Sequence, residues 1–464
     1  MKETQIEKIR ELQQALWEYA EPAFEEYRSS AALADFLEAE GFEVERGICG
    51  MDTAFVGRFG SGRPVISVLA EYDSLFGLQQ EADVDHVCQP AGKETGHGCG
   101  HHLLGLGAVA AALEIQDYLA TSGQSGTVQL VGCPAEEAGS GKAYLARDGF
   151  FDTTDACLTW HPAIVNAVQT GSAQSCIAAY FHFKGVSSHA AASPQAGRSA
   201  LDACELMNIG VNYLREHMED SDRVHYAYTD TGGRSPNVVQ STGTVYYFIR
   251  SRDNAGCLAL YERVKDCARG AALMTGTSME IEFGDGLSNV LPNFVLEDVL
   301  EEAFFQAGPA QYTEEERAYA KRFKDSFTGE PESLQAGLEP EREVRKHMAE
   351  NPLCDVVFGH VHSEHCDMGS TDVGDVSWVV PTAQISANCF SYGAGSHSWQ
   401  WVAQGKSSIA LKGALKAGEV MALAARTLFK NPDRIEAAWD EHTERTAGRP
   451  YQCLIPADIK PHKI

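Results

Sequence analysis

Basic residues are scarce in this chain. Lys and Arg number 37 against 65 Asp and Glu over 464 residues, a formal net charge of −28. So acidic a balance repels phosphate backbones and anionic lipid, which excludes nucleic acid and membrane as expected partners. Long apolar runs are missing too. No stretch reaches the roughly 18 apolar residues needed to cross a bilayer, and Met1-Lys2-Glu3-Thr4-Gln5 lacks a charged-then-apolar leader pattern. The 13 cysteines follow no framework spacing. Scattered thiols suit a reducing compartment, so a cytoplasmic location is expected. Internal repeats are absent.

What is present is a globular balance, 44% hydrophobic and 22% charged, on a chain too long for one ordinary core. Apolar positions Ile6, Ile9, Leu12, Leu16 and Tyr19 recur at helical spacing, and a second helix is expected from Ser29 to Glu40, stopped by Gly41. Continuous apolar runs at 53–59, 64–71, 126–133 and 156–160 suit strands covered on both faces. Around Ala173 the texture changes. Residues 177–185 alternate, as a half-exposed antiparallel strand does. Helices are expected at 199–217 and 255–275, and strands at 242–252 and 278–283. The expected architecture is an α/β catalytic domain, residues 1–172 and 288–464, with a mixed, mostly parallel sheet covered by helices. It is interrupted by a smaller α+β dimerisation or lid domain at 173–287. Residues 383–392 and 407–429 supply a strand and a closing helix. Residues 311–366 are charged and poor in apolar content, and are read as a surface excursion.

The chemistry gathers at strand ends. Gly96-His97-Gly98-Cys99-Gly100-His101-His102 packs thiol and imidazole, the ligands of zinc and its neighbours, into a glycine-spaced loop ahead of a small-residue helix. Glu136-Glu137 closes a buried strand, His161 another, and His397 follows a third. Adjacent glutamates on a regular strand face opposite ways. At a strand end the chain can turn, so one can bind metal while the other holds water.

Cys-Gly-His before a helix, Pro-x-Glu-Glu after a strand, a later strand-end His and a C-terminal Gly-x-x-His resemble the M20 metallopeptidase and amidohydrolase family. The match is closest to the subgroup that uses a cysteine ligand. The runs Glu71-Tyr72-Asp73, Thr159-Trp160-His161-Pro162 and His397-Ser398-Trp399-Gln400 are similar to hydrolases of p-aminobenzoyl-glutamate. The resemblance implies two divalent ions per subunit, manganese or zinc, held by Cys99, His101, Glu137, His161 and His397. Glu136 is implied as general base and Asp73 as the residue that orients a ligand. His189 is implied to reach across a dimer to the scissile carbonyl, and Asn237 and Arg250 to grip a substrate carboxylate. The implied substrate is a small acidic amide, p-aminobenzoyl-glutamate first, with other N-acyl amino acids or dipeptides as the alternative. The implied assembly is a homodimer, or a heterodimer with a related subunit. Glu71 stands where many relatives have His and His102 where many have Asp; neither receives a role.

Other features have plainer readings. Gly105-Leu106-Gly107-Ala108-Val109-Ala110 has the letters of a dinucleotide fingerprint but lies inside a helix. His360, His362, His365 and Cys366 read as loop residues, with adventitious metal binding allowed. Asp372 and Asp375 read as helix caps.

Overall fold

The computed structural model describes residues 1–329, 336–339, 341–393 and 395–462. Residues 330–335 and 340, within the expected surface excursion, and Ala394, within the Gly-x-x-His segment, lie outside the described residues.

The apolar runs form a seven-stranded sheet. Its order is Glu43–Arg46, Phe55–Ser61, Gly126–Gly132, Val65–Ala70, Ala156–Ala163, Thr382–Asn388 and Ala167–Gln169. The four strands from Gly126–Gly132 to Thr382–Asn388 run parallel. The remaining joins, toward both edges, are antiparallel. The sheet is therefore mixed with a parallel centre, as expected.

Both faces are covered, which explains the unbroken apolar strands. Val68 and Ala70 enter a core shared with the helices His101–Ser122 and Ser408–Lys430. Between them, Leu69 faces a second cluster with Tyr144, Val373 and Val376. The helix His101–Ser122 is long and apolar enough to cross a membrane, yet it is packed into this core. Its small residues permit close approach: a Cβ on Gly107 would meet Trp160 at 2.5 Å, and one on Gly418 would meet Ala110 at 2.5 Å. The dinucleotide-like letters are thus packing residues.

The insert expected as a lid contains a four-stranded antiparallel sheet, ordered Arg223–Asp230, Thr242–Ser251, Ser175–Lys184, Ser278–Leu287. Ile177, Ala179, Phe181 and Phe183 point inward at period two, against the helices Ala200–Leu214 and Asn254–Thr275. Asp285 ties lid to catalytic domain by accepting from Gly139 N at 3.1 Å and Ser140 Oγ at 2.9 Å.

Residues 311–366 are not simply a surface excursion. They contain the helices Glu314–Ser326 and Glu341–Glu350, and Phe323, Val344, Met348, Leu353 and Cys354 are buried. The apolar residues are few but fall on one face of short helices, so composition understates their burial. His360 likewise lies with its side chain only 2% exposed. Asp372 precedes the helix Val373–Val379 but makes no side-chain cap; Asp375, inside that helix, accepts from Ser288 and Tyr451 instead.

Candidate metal centre

Tight backbone turns aim the donors. Gly100, at the N-terminus of the helix His101–Ser122, has φ 79°, a left-handed conformation open to glycine at little cost. This turn lets Cys99 and His101 address one point. Ala135 takes a left-handed φ of 59° just before Glu136 and Glu137, a strained state for a residue with a Cβ. Glu26 holds it there, accepting from Ala135 N at 2.9 Å and Phe24 N at 3.0 Å. His397, also left-handed at φ 59°, is pinned by its own N–H to Gly98 O at 2.8 Å. His161 lies near the end of Ala156–Ala163.

Two donor groups share the thiol. Cys99, His101 and His161 form one, Cys99, Glu137 and His397 the other, and within each group the donor atoms lie within 4.8 Å of one another. Cys99 Sγ is 3.4 Å from His161 Nε2, and His397 Nε2 is 3.4 Å from Glu137 Oε2. Bonds of about 2.0–2.3 Å to a tetrahedral ion give donor–donor edges of about 3.3–3.8 Å, so these spacings fit an ion between the atoms. His101 Nε2 and Glu137 Oε1 are buried with no hydrogen-bond partner among the described residues, which is costly unless a ligand satisfies them. His101 Nδ1 is fixed by Asp73 Oδ1 at 2.7 Å, and Asp73 Oδ2 accepts from Glu137 N at 2.9 Å. His161 Nδ1 donates to Pro162 O at 2.7 Å. Such outer contacts set the tautomer and turn Nε2 inward.

Electrostatics follow from burial and crowding. Burial alone pushes the Cys99 thiol up, but His161 and His101 outweigh it and hold it well below the usual range, as thiolate. Burial, then the negative charge of Glu71, raises Glu136 well above an ordinary glutamate. Hydrogen bonds to Cys99 and Glu137 lift His397 to about 10. Several anions around buried imidazoles make a site that gains from positive charge.

Three residues not expected in the site, Glu71, Lys142 and Asp372, complete it. Glu71, His101 and Glu136 form a further donor group, with Glu71 Oε2 3.3 Å and Glu136 Oε2 3.8 Å from His101 Nε2. Fully buried Lys142 bridges Glu71 Oε1 and Asp372 Oδ1, both at 2.6 Å. Asp372 Oδ2 also accepts from Lys142 N at 2.9 Å. The Glu-x-Asp at 71–73 marked a strand end, but nothing local in the sequence joins Lys142 to Asp372. His102, by contrast, is structural: its Nε2 donates to Gly405 O at 2.9 Å.

A cleft of about 260 Å³ is lined by Glu136, Glu137, His397, Arg250, Ser370 and Asp285, among others. The structure thus brings Arg250 of the lid to the donors, with its guanidinium donating to Ser370 Oγ. His189 and Asn237 lie elsewhere, exposed. His189 Nδ1 accepts from Ala192 N at 3.2 Å, and Asn237 O from Ala190 N at 2.9 Å.

Fold and site together define the class. The chain belongs to the M20 family of metallopeptidases and amidohydrolases and is a metal-dependent amidohydrolase with a dinuclear divalent-metal site. Across its whole length it is 40% identical to one of the subunits of p-aminobenzoyl-glutamate hydrolase from Escherichia coli (strain K12), covering 97% of that protein. It is 32% identical to Xaa-Arg dipeptidase of Mus musculus over 62% of this chain and 66% of that one. Among solved structures, a dinuclear metal-binding M20 peptidase of Bacillus subtilis superposes with a TM-score of 0.56 at 16% identity, covering 91% of this chain and 99% of that one. No family model matches the chain.

Proposed function

We propose that this chain hydrolyses p-aminobenzoyl-glutamate to p-aminobenzoate and glutamate. The observation that carries the reading is Cys99 shared between two donor groups, with Glu136 and Arg250 lining the same cleft. Bound divalent ions supply Lewis-acid polarisation and bring the pKa of water from about 15.7 toward 7. Cys99, His101, Glu137, His161 and His397 are the residues that hold them. Glu136 takes the proton of the attacking water and returns it to the leaving amine as the C–N bond breaks. Arg250 meets the glutamate carboxylate with its planar fork. Asp73 keeps His101 in register. His189 and Asn237, exposed and away from the cleft of their own chain, serve the cleft of a second subunit, where His189 donates to the developing oxyanion. That subunit is a second copy or a related chain. The unpaired state of all the cysteines supports a cytoplasmic setting.

A second substrate reading, dipeptides, is favoured by the likeness to the mouse dipeptidase. Turnover of a panel of N-acyl-glutamates and Xaa-Arg dipeptides separates the two. Glu136→Gln should lower kcat by about 10²–10⁴-fold while metal content is unchanged; retained turnover removes Glu136 as the base.

A further inference from the structure

A second histidine cluster lies outside the cleft. The helix Phe294–Ala307 presents Phe294, Glu297, Asp298 and Glu301 at helical spacing, so they share a face. Against that face lies the His-x-His of 360–362. His360 and Glu297 each have side chains only 2% exposed, with Nε2 and Oε2 3.5 Å apart, and neither atom has a hydrogen-bond partner among the described residues. A ring nitrogen of His362 completes a set whose donor atoms lie within 4.8 Å of one another.

We propose that Glu297, His360 and His362 bind a further metal ion, structural and of the zinc class, outside the dinuclear centre. The donor set decides the class: two imidazoles and one carboxylate suit zinc, and poorly suit magnesium or calcium. The spacing agrees, since 3.5 Å is long for a hydrogen bond and close to the roughly 3.3 Å edge of a tetrahedral N/O zinc site. Outer contacts resemble those at the catalytic centre. Glu301 Oε1 accepts from His360 Nδ1 at 2.9 Å and from its backbone N at 2.8 Å, which directs Nε2 to Glu297. Asp298 Oδ1 lies 2.8 Å from His362 Nε2, and the ring of His362 stacks on Phe294 at 4.3 Å. Such partners orient metal-binding imidazoles. Glu297 also lines a cavity of about 160 Å³, large enough for water to fill a fourth position. The ion joins the loop to the helix. Eight residues beyond His362 that loop reaches Ser370, the partner of Arg250 in the cleft.

The rival occupant is a proton, which would make His360 an imidazolium between Glu297 and Glu301. Metal analysis of the whole protein, zinc-loaded and desalted, tells them apart. His362→Gln, at a partly exposed position, and Glu297→Gln, an isostere, should each hold about one zinc equivalent less than the unchanged chain. In a Cys99→Ser/His397→Ala background, zinc should still raise Tm, and adding His362→Gln should abolish that rise. Equal zinc content in all forms, or a rise that survives His362→Gln, overturns the site. Because the readout is a difference between variants, it stands whether or not the catalytic centre takes two ions.

Discussion

Lys142 is the residue on which the inner charges balance. Its ammonium sits between Glu71 and Asp372 with no exposure, and despite burial those two carboxylates keep its pKa well above the ordinary lysine value. Lys142→Met would leave two buried carboxylates facing each other. Breaking a buried pair by removing one partner costs about 3–5 kcal/mol, and urea unfolding of the metal-free protein should show a loss of that size. Arg250 allows a cleaner functional test, because it stands near the end of an inner strand, half-buried and lining the cleft, rather than in a core. If it grips a substrate carboxylate, Arg250→Met should raise KM by about 10–100-fold, the equivalent of a charge-assisted hydrogen-bonded contact, with kcat much less affected. Arg250→Lys should recover little of it, since an ammonium cannot form the bidentate contact. A fall in kcat with KM unchanged would instead place Arg250 in transition-state stabilisation. At this scale the donors themselves were legible, because Cys99, His101, Glu136, Glu137, His161 and His397 each stand at the end of a readable element. Lys142 was not, since its partners lie 71 and 230 positions away along the sequence and only the fold brings them together.

At the scale of elements, the helix Glu314–Ser326 is joined to Ser408–Lys430 through Glu316. Its Oε2 accepts from Lys412 Nζ at 2.6 Å and its Oε1 from Ser408 Oγ at 2.6 Å, while Thr313 N closes a capping box at 2.8 Å. Burial alone would raise this carboxyl, but Lys412, Ser408 and the Thr313 backbone outweigh it, so its pKa is lowered from 4.5. An acid depressed in the folded state binds its proton less readily there than when unfolded. Its stabilisation is therefore present above about pH 4.5 and is lost as pH falls through the folded value. Glu316→Gln should cost about 1 kcal/mol at pH 7, a figure kept low because Lys412 is partly exposed. It should also flatten the decline of Tm below pH 4.5; a variant with the unchanged acid decline would refute the linkage. This helix was hidden in the sequence because Ala320 and Phe323 are its only fully buried apolar residues, too sparse for periodicity to register. The edge strand Arg223–Asp230 escaped for a related reason. It is exposed along most of its length, so it carries no inward alternation. The helix Phe294–Ala307 was not expected either, although Asn293 caps it locally, accepting from Leu296 N at 3.0 Å.

At the scale of the whole molecule, one chain holds the metal donors and Arg250, while His189 lies exposed on the lid and is bonded within its own loop. If the oxyanion donor comes from a neighbouring subunit, each complete site combines Glu136 of one chain with His189 of another. Chains carrying Glu136→Gln alone, or His189→Ala alone, would then each form dimers with no intact site. Mixed and allowed to exchange subunits, equal amounts give half mixed dimers in a symmetric two-fold assembly. Every mixed dimer has one site with both native residues and one with neither, so activity should return to about a quarter of that of the unchanged protein. Recovery requires exchange, and subunits held apart by dilution below the dimer dissociation constant should show none. If His189 instead served its own chain, or had no part in the reaction, mixing would yield only the average of the two separate activities. That outcome would remove the intersubunit role while leaving the metal centre and Glu136 as they stand.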